Sequence, residues 1–199
     1  NKETKLWYTV MVRRHEFDEA MREIAQKRGV GMLVGNVKDL HFKDELRDES
    51  SLLYKIDVET PDGELVSVSA RFFVDATGQQ ALIPRRIGQR NVVDDWNLQA
   101  RYAYFRGVDF EKAQSYGLLK DGANILSYED GWSWIAHLGN DITSARIVSK
   151  VWDKENNSFF EKFKRLPEYE KFGFQNATVV NHLGEPVENP KEHYAHPNY

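Results

Sequence analysis

The stretch Asp75-Ala76-Thr77-Gly78 has the residue types of a ligand-binding turn. It follows the apolar stretch Phe72-Phe73-Val74, which has the character of a strand. Alanine and glycine let the main chain approach a ligand closely, so the turn could present backbone N–H groups and a hydroxyl to it. The residues alone leave a structural alternative open, in which Asp75 caps a helix that begins at Gln79 and Gly78 only turns the chain.

Arg14 is a second candidate for ligand binding. It lies in the stretch Arg14-His15-Glu16-Phe17-Asp18, where we expect a strand to meet an amphipathic helix. The forked guanidinium of an arginine at such a junction is suited to a phosphate group or a planar ring system. The alternative is a solvated arginine that only contributes to solubility.

Aromatic residues recur in the second half of the chain, where they could line a pocket or fill the core of a sheet. They are Tyr102, Tyr104, Phe105, Trp132 and Trp134. Near the end of the chain, His193 and His196 bring two imidazoles together, but no third ligand accompanies them. The sequence therefore predicts no metal site.

The elements that position these residues begin with a strand and a helix. Apolar and polar residues alternate over residues 6–14, which predicts a half-buried strand. Phe17, Met21 and Ile24 then follow the i, i+4, i+7 spacing of an amphipathic helix. Gly29 supplies the stop signal of that helix.

Strand patterns dominate the rest of the chain. "GMLVGNVKDLHF", "LLYKIDVET" and "ELVSVSARFFVDA" predict an antiparallel meander, with the turn Pro61-Asp62-Gly63 between the last two. A short helix after Gly78 and helices near residues 159–166 follow from apolar spacing. Four more strands are predicted at residues 98–108, 124–129, 132–138 and 142–151. The predicted fold class is α+β with mostly antiparallel sheets.

The composition of the chain excludes several classes of function. The chain has 199 residues, 41% of them hydrophobic, which is typical of a folded protein. Its net charge of −4 gives no electrostatic reason to expect nucleic acid or an anionic membrane as a partner, and a small molecule is favoured. The sequence has no cysteine, which excludes disulfides and thiolate metal sites within it and is consistent with the cytoplasm. No apolar run approaches the length of a membrane span.

Four motifs in order resemble a known family of enzymes. They are Arg14-x-x-Phe17-Asp18, the 75–78 turn followed by "RRIG", "AYFRGVDF" at 103–110 and "GWSWIAHLG" at 131–139. The first two resemble the middle of FAD-dependent monooxygenases of the p-hydroxybenzoate hydroxylase type. The last two resemble the branch of that family that contains the flavin-dependent halogenases and the geranylgeranyl-reductase-like proteins. The resemblance covers roughly residues 8–151.

The resemblance implies FAD as the cofactor, with Arg14, Asp75, Ala76, Thr77 and Gly78 against it. It also implies that the second block of strands covers the flavin. The residues of that block that are candidates to line a substrate pocket are Tyr104, Phe105, Trp132, Trp134 and His137.

One departure from the halogenase pattern concerns the last of these candidates. This chain has Ala136-His137 where halogenases have Ile-Pro, so the resemblance leaves halogenation open. His137 could be a polar wall or a proton-transfer group facing the flavin. A hydrogen-bonded structural histidine is the alternative.

The implied organisation is an internal fragment of a longer protein that is inactive alone. Residues 1–90 would belong to a Rossmann-like FAD-binding domain with its meander, and residues 91–199 to a substrate-binding domain. The glycine-rich pyrophosphate site is expected upstream, because no Gly-x-Gly-x-x-Gly occurs here.

The implied function is that of a flavin-dependent monooxygenase or halogenase-like oxidoreductase acting on a small organic substrate. A separate flavin reductase is a candidate partner. Two alternatives stay open, an FAD-dependent reductase of isoprenoid double bonds and a non-catalytic β-rich module that binds a hydrophobic ligand or a partner chain.

Overall fold

A computed structural model describes residues 10–43, 52–91, 98–150 and 159–188. The chain divides into two compact units. Of the described residues, 22–43 and 52–91 form the meander unit, and 10–21, 98–150 and 159–188 form the sheet unit. Helix α1 (Arg14–Lys27) begins in the sheet unit and ends in the meander unit.

The meander unit contains three antiparallel strands in sequence order. They are β1 (Asn36–Phe42), β2 (Leu53–Glu59) and β3 (Leu65–Ser69). Gly63 adopts a φ of 86° in the turn between β2 and β3, and the Thr60 side chain bonds the backbone of Glu64 across it. The predicted meander is therefore present, and its second turn uses the residues that the sequence singled out.

The third strand of the meander is shorter than the sequence predicts. We expected it to continue through Val74, but it ends at Ser69, and residues 70–77 carry no helix or strand. Phe72 and Val74 are 87% and 91% exposed. An extended segment becomes a strand only when a neighbour accepts and donates its backbone hydrogen bonds, and no such neighbour is present in the described residues.

After β3, a single 3₁₀ turn (Gly78–Gln80) leads into the short helix α2 (Leu82–Arg86). Ala81 joins the two in a left-handed conformation, with φ at 43°. The short helix expected after Gly78 is thus present as two pieces.

The sheet unit is built on a five-stranded antiparallel sheet in the order β5-β6-β7-β4-β8. Its strands are β4 (Gln99–Arg106), β5 (Ala123–Tyr128), β6 (Gly131–His137), β7 (Ile142–Ser149) and β8 (Thr178–Val180). The four predicted strands of this region correspond to β4 to β7. The sequence reasoning missed β8, a three-residue strand paired with β4.

Three helices accompany the sheet in this unit. They are α3 (Phe110–Ser115), α4 (Phe159–Arg165) and α5 (Pro167–Lys171). Side chains from α3 and α4 join the cluster with Ala103, Phe105 and Ile135 of the sheet. The helices expected near residues 159–166 are present, whereas α3 was not predicted.

The strand expected at residues 6–14 has no counterpart in the described residues. Residues 1–9 lie outside the described part, residues 10–13 are not in a strand, and Arg14 already begins α1. The predicted α+β class with antiparallel sheets and accompanying helices is confirmed.

Candidate functional site

The turn at Asp75 is held together by the carboxylate of Asp75 itself. Its Oδ1 accepts hydrogen bonds from the Thr77 amide at 2.9 Å and the Thr77 hydroxyl at 2.5 Å. Its Oδ2 accepts the Ile83 amide, in the first turn of α2, at 2.8 Å. Burial alone raises the pKa of Asp75, but the bonds from Thr77 and Ile83 outweigh it, so the pKa lies below its usual value. Asp75 thus organises the turn and anchors α2.

The same turn leaves backbone donors available. Among the described residues, the N–H groups of Ala76 and Gly78 have no hydrogen-bond acceptor, and both residues are exposed. Gly78 has a φ of 59°, and no atom lies within 4 Å of where a β-carbon would stand. Two free amides beside open space fit an oxygen-rich ligand such as a phosphate or the polar edge of a ring.

Arg14 is placed at the first residue of α1. Its Nε and Nη2 donate to the two carboxylate oxygens of Asp18, each at 3.1 Å, and its side chain is 76% exposed. The guanidinium fork that the sequence assigned to a ligand is therefore engaged by a carboxylate one helical turn away. Arg14 and the Asp75 turn belong to different units, and the cofactor contacts predicted for both stay predictions.

The substrate-pocket candidates lie on two faces of the sheet. Tyr104 of β4 opposes Ser144, while Trp132 and Trp134 of β6 oppose Val148 and Arg146. Since side chains alternate along a strand, Tyr104, Trp132 and Trp134 share one face. We call this the open face; Trp134 is 41% exposed on it.

Phe105 and His137 point to the opposite face, which is the core side. The Phe105 ring lies 5.0 to 6.0 Å from those of Phe160, Phe163 and Phe174. Phe105 is 2% exposed, so it fills the core rather than lining a pocket. Phe105 thus takes the alternative that the sequence left open for these aromatic residues, the core of a sheet, while the substrate-pocket role of the other candidates stays a prediction.

His137 lies against α3. Its ring centroid is 4.8 Å from that of Phe110, and its Nδ1 is 3.5 Å from the Thr143 hydroxyl. Burial lowers the pKa of His137, and Lys120 lowers it further, while Asp141 and Asp121 act in the opposite direction. The placement agrees with the structural alternative for this histidine, on the side away from the open face.

The sequence reasoning missed two arginines near the open face. Arg146 of β7 lies with its guanidinium carbon 5.0 Å from the Tyr102 ring centroid and 5.8 Å from that of Trp134. Arg13 has a side chain only 14% exposed and binds Glu16 at 2.6 Å. Burial raises the pKa of Tyr104, and the neighbouring Tyr102 raises it further. The charges of Arg146 and Arg13 partly offset this increase. The strand register that brings Arg146 to the two rings is not visible in the sequence.

A shallow cavity of about 280 Å³ lies in the meander unit. It is lined by β1 residues 37–40 and by Leu82, Arg85 and Arg86 of α2, and Arg86 donates to Asp39 at 3.3 Å. No group of three or more metal-ligating side chains occurs in the described residues, and His193 and His196 lie outside them. In the same part of the chain, no helix is long and apolar enough to cross a membrane.

Two characterised proteins are similar to the chain in sequence. The tryptophan 2-halogenase of Chondromyces crocatus is 27% identical over 149 residues, which are 74% of this chain and 27% of that protein. The flavin-dependent halogenase armH4 of Armillaria mellea is 26% identical over 147 residues, which are 69% of this chain and 26% of that protein. The chain thus spans about a quarter of the length of these relatives. No family model matches it.

Solved structures show the same fold. The flavin-dependent brominase Bmp2 aligns over 85% of this chain and 42% of its own, with a TM-score of 0.66 and 24% identity. The myxobacterial chondrochloren halogenase CndH aligns over 93% of this chain and 42% of its own, with a TM-score of 0.67 and 21% identity. A geranylgeranyl bacteriochlorophyll reductase-like protein of Thermoplasma acidophilum aligns over 84% of this chain and 40% of its own, with a TM-score of 0.59 and 17% identity. The resemblance drawn from the four motifs is therefore confirmed.

Proposed function

We propose that the chain is part of an FAD-dependent oxidoreductase of the halogenase-like branch, acting on a small organic substrate. The observation that carries the proposal is the sequence similarity to two flavin-dependent halogenases over about three quarters of this chain. A non-catalytic binding module is not favoured by those relatives, and neither is an isoprenoid reductase, whose similarity lies in the fold.

The meander unit would hold the cofactor. Its Asp75 turn offers the free amides of Ala76 and Gly78 and the space beside Gly78, which suit a ligand as rich in oxygen as FAD. FAD, when bound, supplies the redox chemistry, and the chain supplies position and surroundings. On this proposal residues 1–90 belong to the FAD-binding domain and residues 91–199 to the substrate-binding domain.

The sheet unit would shape the substrate side. The rings of Tyr102, Tyr104, Trp132 and Trp134 give the open face an apolar, aromatic surface. Such a surface excludes water from a reacting centre and stacks on planar organic molecules. Halide oxidation, with an organic bromide or chloride as product, is the chemistry favoured by the relatives' names, and an indole is a candidate substrate from one of them. The separate flavin reductase and the cytoplasmic location stay predictions.

The cofactor is tested by the visible absorption spectrum of the full-length protein that contains this sequence, reconstituted with FAD. We expect a bound-flavin spectrum that weakens when Asp75 is replaced by alanine, because the turn then loses its internal acceptor. Replacement of Asp62, the turn carboxylate between β2 and β3, is the matched control and should leave the spectrum unchanged. A protein that binds no flavin would contradict the proposal.

The reaction is tested with reduced FAD, oxygen, bromide and a panel of indoles and phenols, followed by mass spectrometry. A brominated product supports the halogenase-like branch. Hydroxylated product alone would keep the flavin-dependent oxidoreductase and remove halogenation from the proposal.

A further inference from the structure

His15 and His182 bring two imidazole rings together from distant parts of the sequence. His15 is the second residue of α1, and His182 lies in the turn that follows β8. Both residues belong to the sheet unit. Their ring centroids are 5.0 Å apart, and the two ring planes meet at 83°. The pair is therefore a product of the tertiary fold, and no spacing in the sequence indicates it.

The nitrogens of both rings are available to a ligand. Of the four described histidines, His41 and His137 have polar partners, at 2.6 Å and 3.5 Å. In that part of the chain, the ring nitrogens of His15 and His182 have no hydrogen-bond partner. The carboxylate of Glu16 lies 3.7 Å from Nε2 of His15, which is too far for a hydrogen bond. Accessible imidazole nitrogens of this kind are the commonest protein ligands of metal ions.

The turn that carries His182 has a fixed backbone. Oδ1 of Asn181 accepts two backbone amides of this turn at 2.9 and 3.0 Å, and Nδ2 of Asn181 donates to the Glu185 carboxylate at 2.9 Å. Gly184 packs so closely against the sheet that a β-carbon there would lie 2.6 Å from the Ile142 side chain. His182 is thus presented from a preformed turn, so binding a ligand orders little more than its side chain.

The first turn of α1 fixes the other imidazole and balances the charges around it. Arg13 pairs with Glu16 at 2.6 Å, and Arg14 pairs with Asp18 at 3.1 Å. Each of the two arginines that precede His15 therefore has a carboxylate beside it. Because these charges are balanced, they do not repel a dication from the imidazoles as unpaired arginines would.

The separation of the rings matches that of two imidazoles on one metal ion. Imidazole nitrogens bind Zn²⁺ at about 2.0–2.1 Å, which places the centroids of two neighbouring ligand rings about 4.5–5.3 Å apart. The observed 5.0 Å lies in this range. Imidazole suits Zn²⁺, Cu²⁺ and Ni²⁺, whereas Mg²⁺ and Ca²⁺ prefer oxygen ligands.

We propose that His15 and His182 bind one divalent transition-metal ion of the Zn²⁺ and Cu²⁺ class, which links the start of α1 to the turn after β8. Because the described residues contain no group of three metal-ligating side chains, water completes the coordination of the ion. No contact with flavin or substrate enters this inference, so it stands apart from the proposed function.

The test is a calorimetric titration of Zn²⁺ into the full-length protein, without flavin and without a histidine tag, in a buffer that does not bind metal ions. We expect one Zn²⁺ site whose affinity falls by about tenfold or more in H15A and in H182A, because each variant leaves a single imidazole. Unchanged Zn²⁺ binding in both variants would overturn the proposal.

The double variant H193A/H196A is the matched control, because it removes two imidazoles that are close together in the sequence. The Zn²⁺ site should keep its affinity in this control. Loss of the site in the control, together with its retention in H15A and H182A, would overturn the proposal in favour of His193 and His196. H15Q and H182N carry the same test if the alanine variants do not fold.

Cu²⁺ is a second probe, and it counts the ligands directly. Electron spin-echo spectroscopy distinguishes one bound imidazole from two, and we expect two in the wild type and one in H182A. A single imidazole on Cu²⁺ in the wild type would overturn the proposal. All of these measurements are made without flavin, so a protein that fails to bind FAD would contradict only the proposed function.

Discussion

Asp75 acts on its turn through hydrogen bonds that only a carboxylate can make together. One oxygen accepts the amide and hydroxyl of Thr77, and the other accepts the amide of Ile83. The sequence left open that Asp75 caps a helix from Gln79; in the structure Asp75 instead accepts the amide of Ile83 in the first turn of α2, whose N-cap residue is Ala81. Capping and ligand binding are compatible, because the amides of Ala76 and Gly78 are not used by Asp75.

We predict that D75A weakens FAD binding by about tenfold in the full-length protein, because a disordered turn no longer presents its amides together. D75N keeps one acceptor oxygen and should lose less. The measurement is a titration that follows flavin fluorescence, with D62N as the control from the hairpin turn. Equal affinities for D75A, D75N and the wild type would contradict a role for this turn in cofactor binding.

Asp130 forms the polar attachment between α4 and the sheet. Lys162 of α4 donates to its Oδ2 at 2.7 Å, and the Ser149 hydroxyl donates to the same oxygen at 2.9 Å. The hydrogen bond from Lys162 lowers the pKa of Asp130 below the usual 3.8. Because the carboxylate is 38% exposed, solvent screens the pair and its contribution to stability is modest.

We predict that D130N lowers the free energy of unfolding by about 1 kcal/mol at pH 7. A carboxyl whose pKa is depressed by folding stabilises the protein above its unfolded pKa, and that contribution disappears as the pH falls through the folded value. The difference in unfolding free energy between wild type and D130N should therefore be constant near neutral pH and should disappear below about pH 4. Chemical denaturation at pH 7 and pH 3 checks this, and an equal difference at both pH values would contradict it.

At the scale of elements, α4 is fixed to the sheet by phenylalanine. Phe163 is fully buried, with ring centroids of Phe105, Phe174 and Phe159 at 5.6, 4.9 and 5.2 Å. Burial of such a ring is the main source of helix stability in a short helix, since seven residues are too few to be helical alone.

We predict that F163A destabilises the sheet unit by about 3–5 kcal/mol, the usual cost of removing a buried phenylalanine. F17A is the matched control, because Phe17 is 47% exposed on α1 and its removal should cost less than about 1 kcal/mol. Thermal unfolding followed by near-ultraviolet circular dichroism measures both. Similar losses in the two variants would mean that the core does not lie where the structure places it.

The elements also show how far the sequence could be interpreted. Two-residue alternation and turn residues were sufficient to predict β1, β2 and β4 to β7, because those signals are local. The helices α3 and α4 decide which face of the sheet is covered, and the local pattern does not show where they pack. For this reason Tyr104 and Phe105, adjacent in sequence, were both candidates for the substrate pocket. Arg146 was missed for a related reason, because its neighbours come from two other strands. β3 ends at Ser69 because the residues that follow have no described strand to pair with, and the local sequence pattern does not show whether such a partner exists.

At the scale of the whole chain, the two units differ in how much apolar surface they bury. Among the described residues of the meander unit, Leu53 and Val58 are the buried apolar residues, at 9% and 6% exposed. The sheet unit has a continuous core that contains seven phenylalanines, namely Phe105, Phe110, Phe159, Phe160, Phe163, Phe172 and Phe174. Several apolar residues of the meander unit are strongly exposed, among them Val34, Phe72 and Val74.

We predict that backbone amides of β1 to β3 exchange with deuterium at least tenfold faster than those of β4, β6 and β7, because opening the meander exposes little apolar surface. Hydrogen exchange with mass spectrometry on the 199-residue chain measures this. Added FAD should slow exchange near Asp75 if the cofactor proposal is correct. Uniform protection across both units would contradict the expected difference in stability.

The alternation of the five-stranded sheet also has a practical consequence for protein engineering. Tyr104 and Phe105 are neighbours in the chain, yet Tyr104 lies on the open face and Phe105 in the phenylalanine core. A mutant library that randomises only open-face residues would therefore leave the core side chains untouched and, on the proposed function, would vary the contacts with the substrate. These residues are Tyr102, Tyr104, Trp132, Trp134 and Arg146. A library of equal size that also included Phe105 would consist largely of unfolded variants, and selection would discard most of it before any new specificity could be tested.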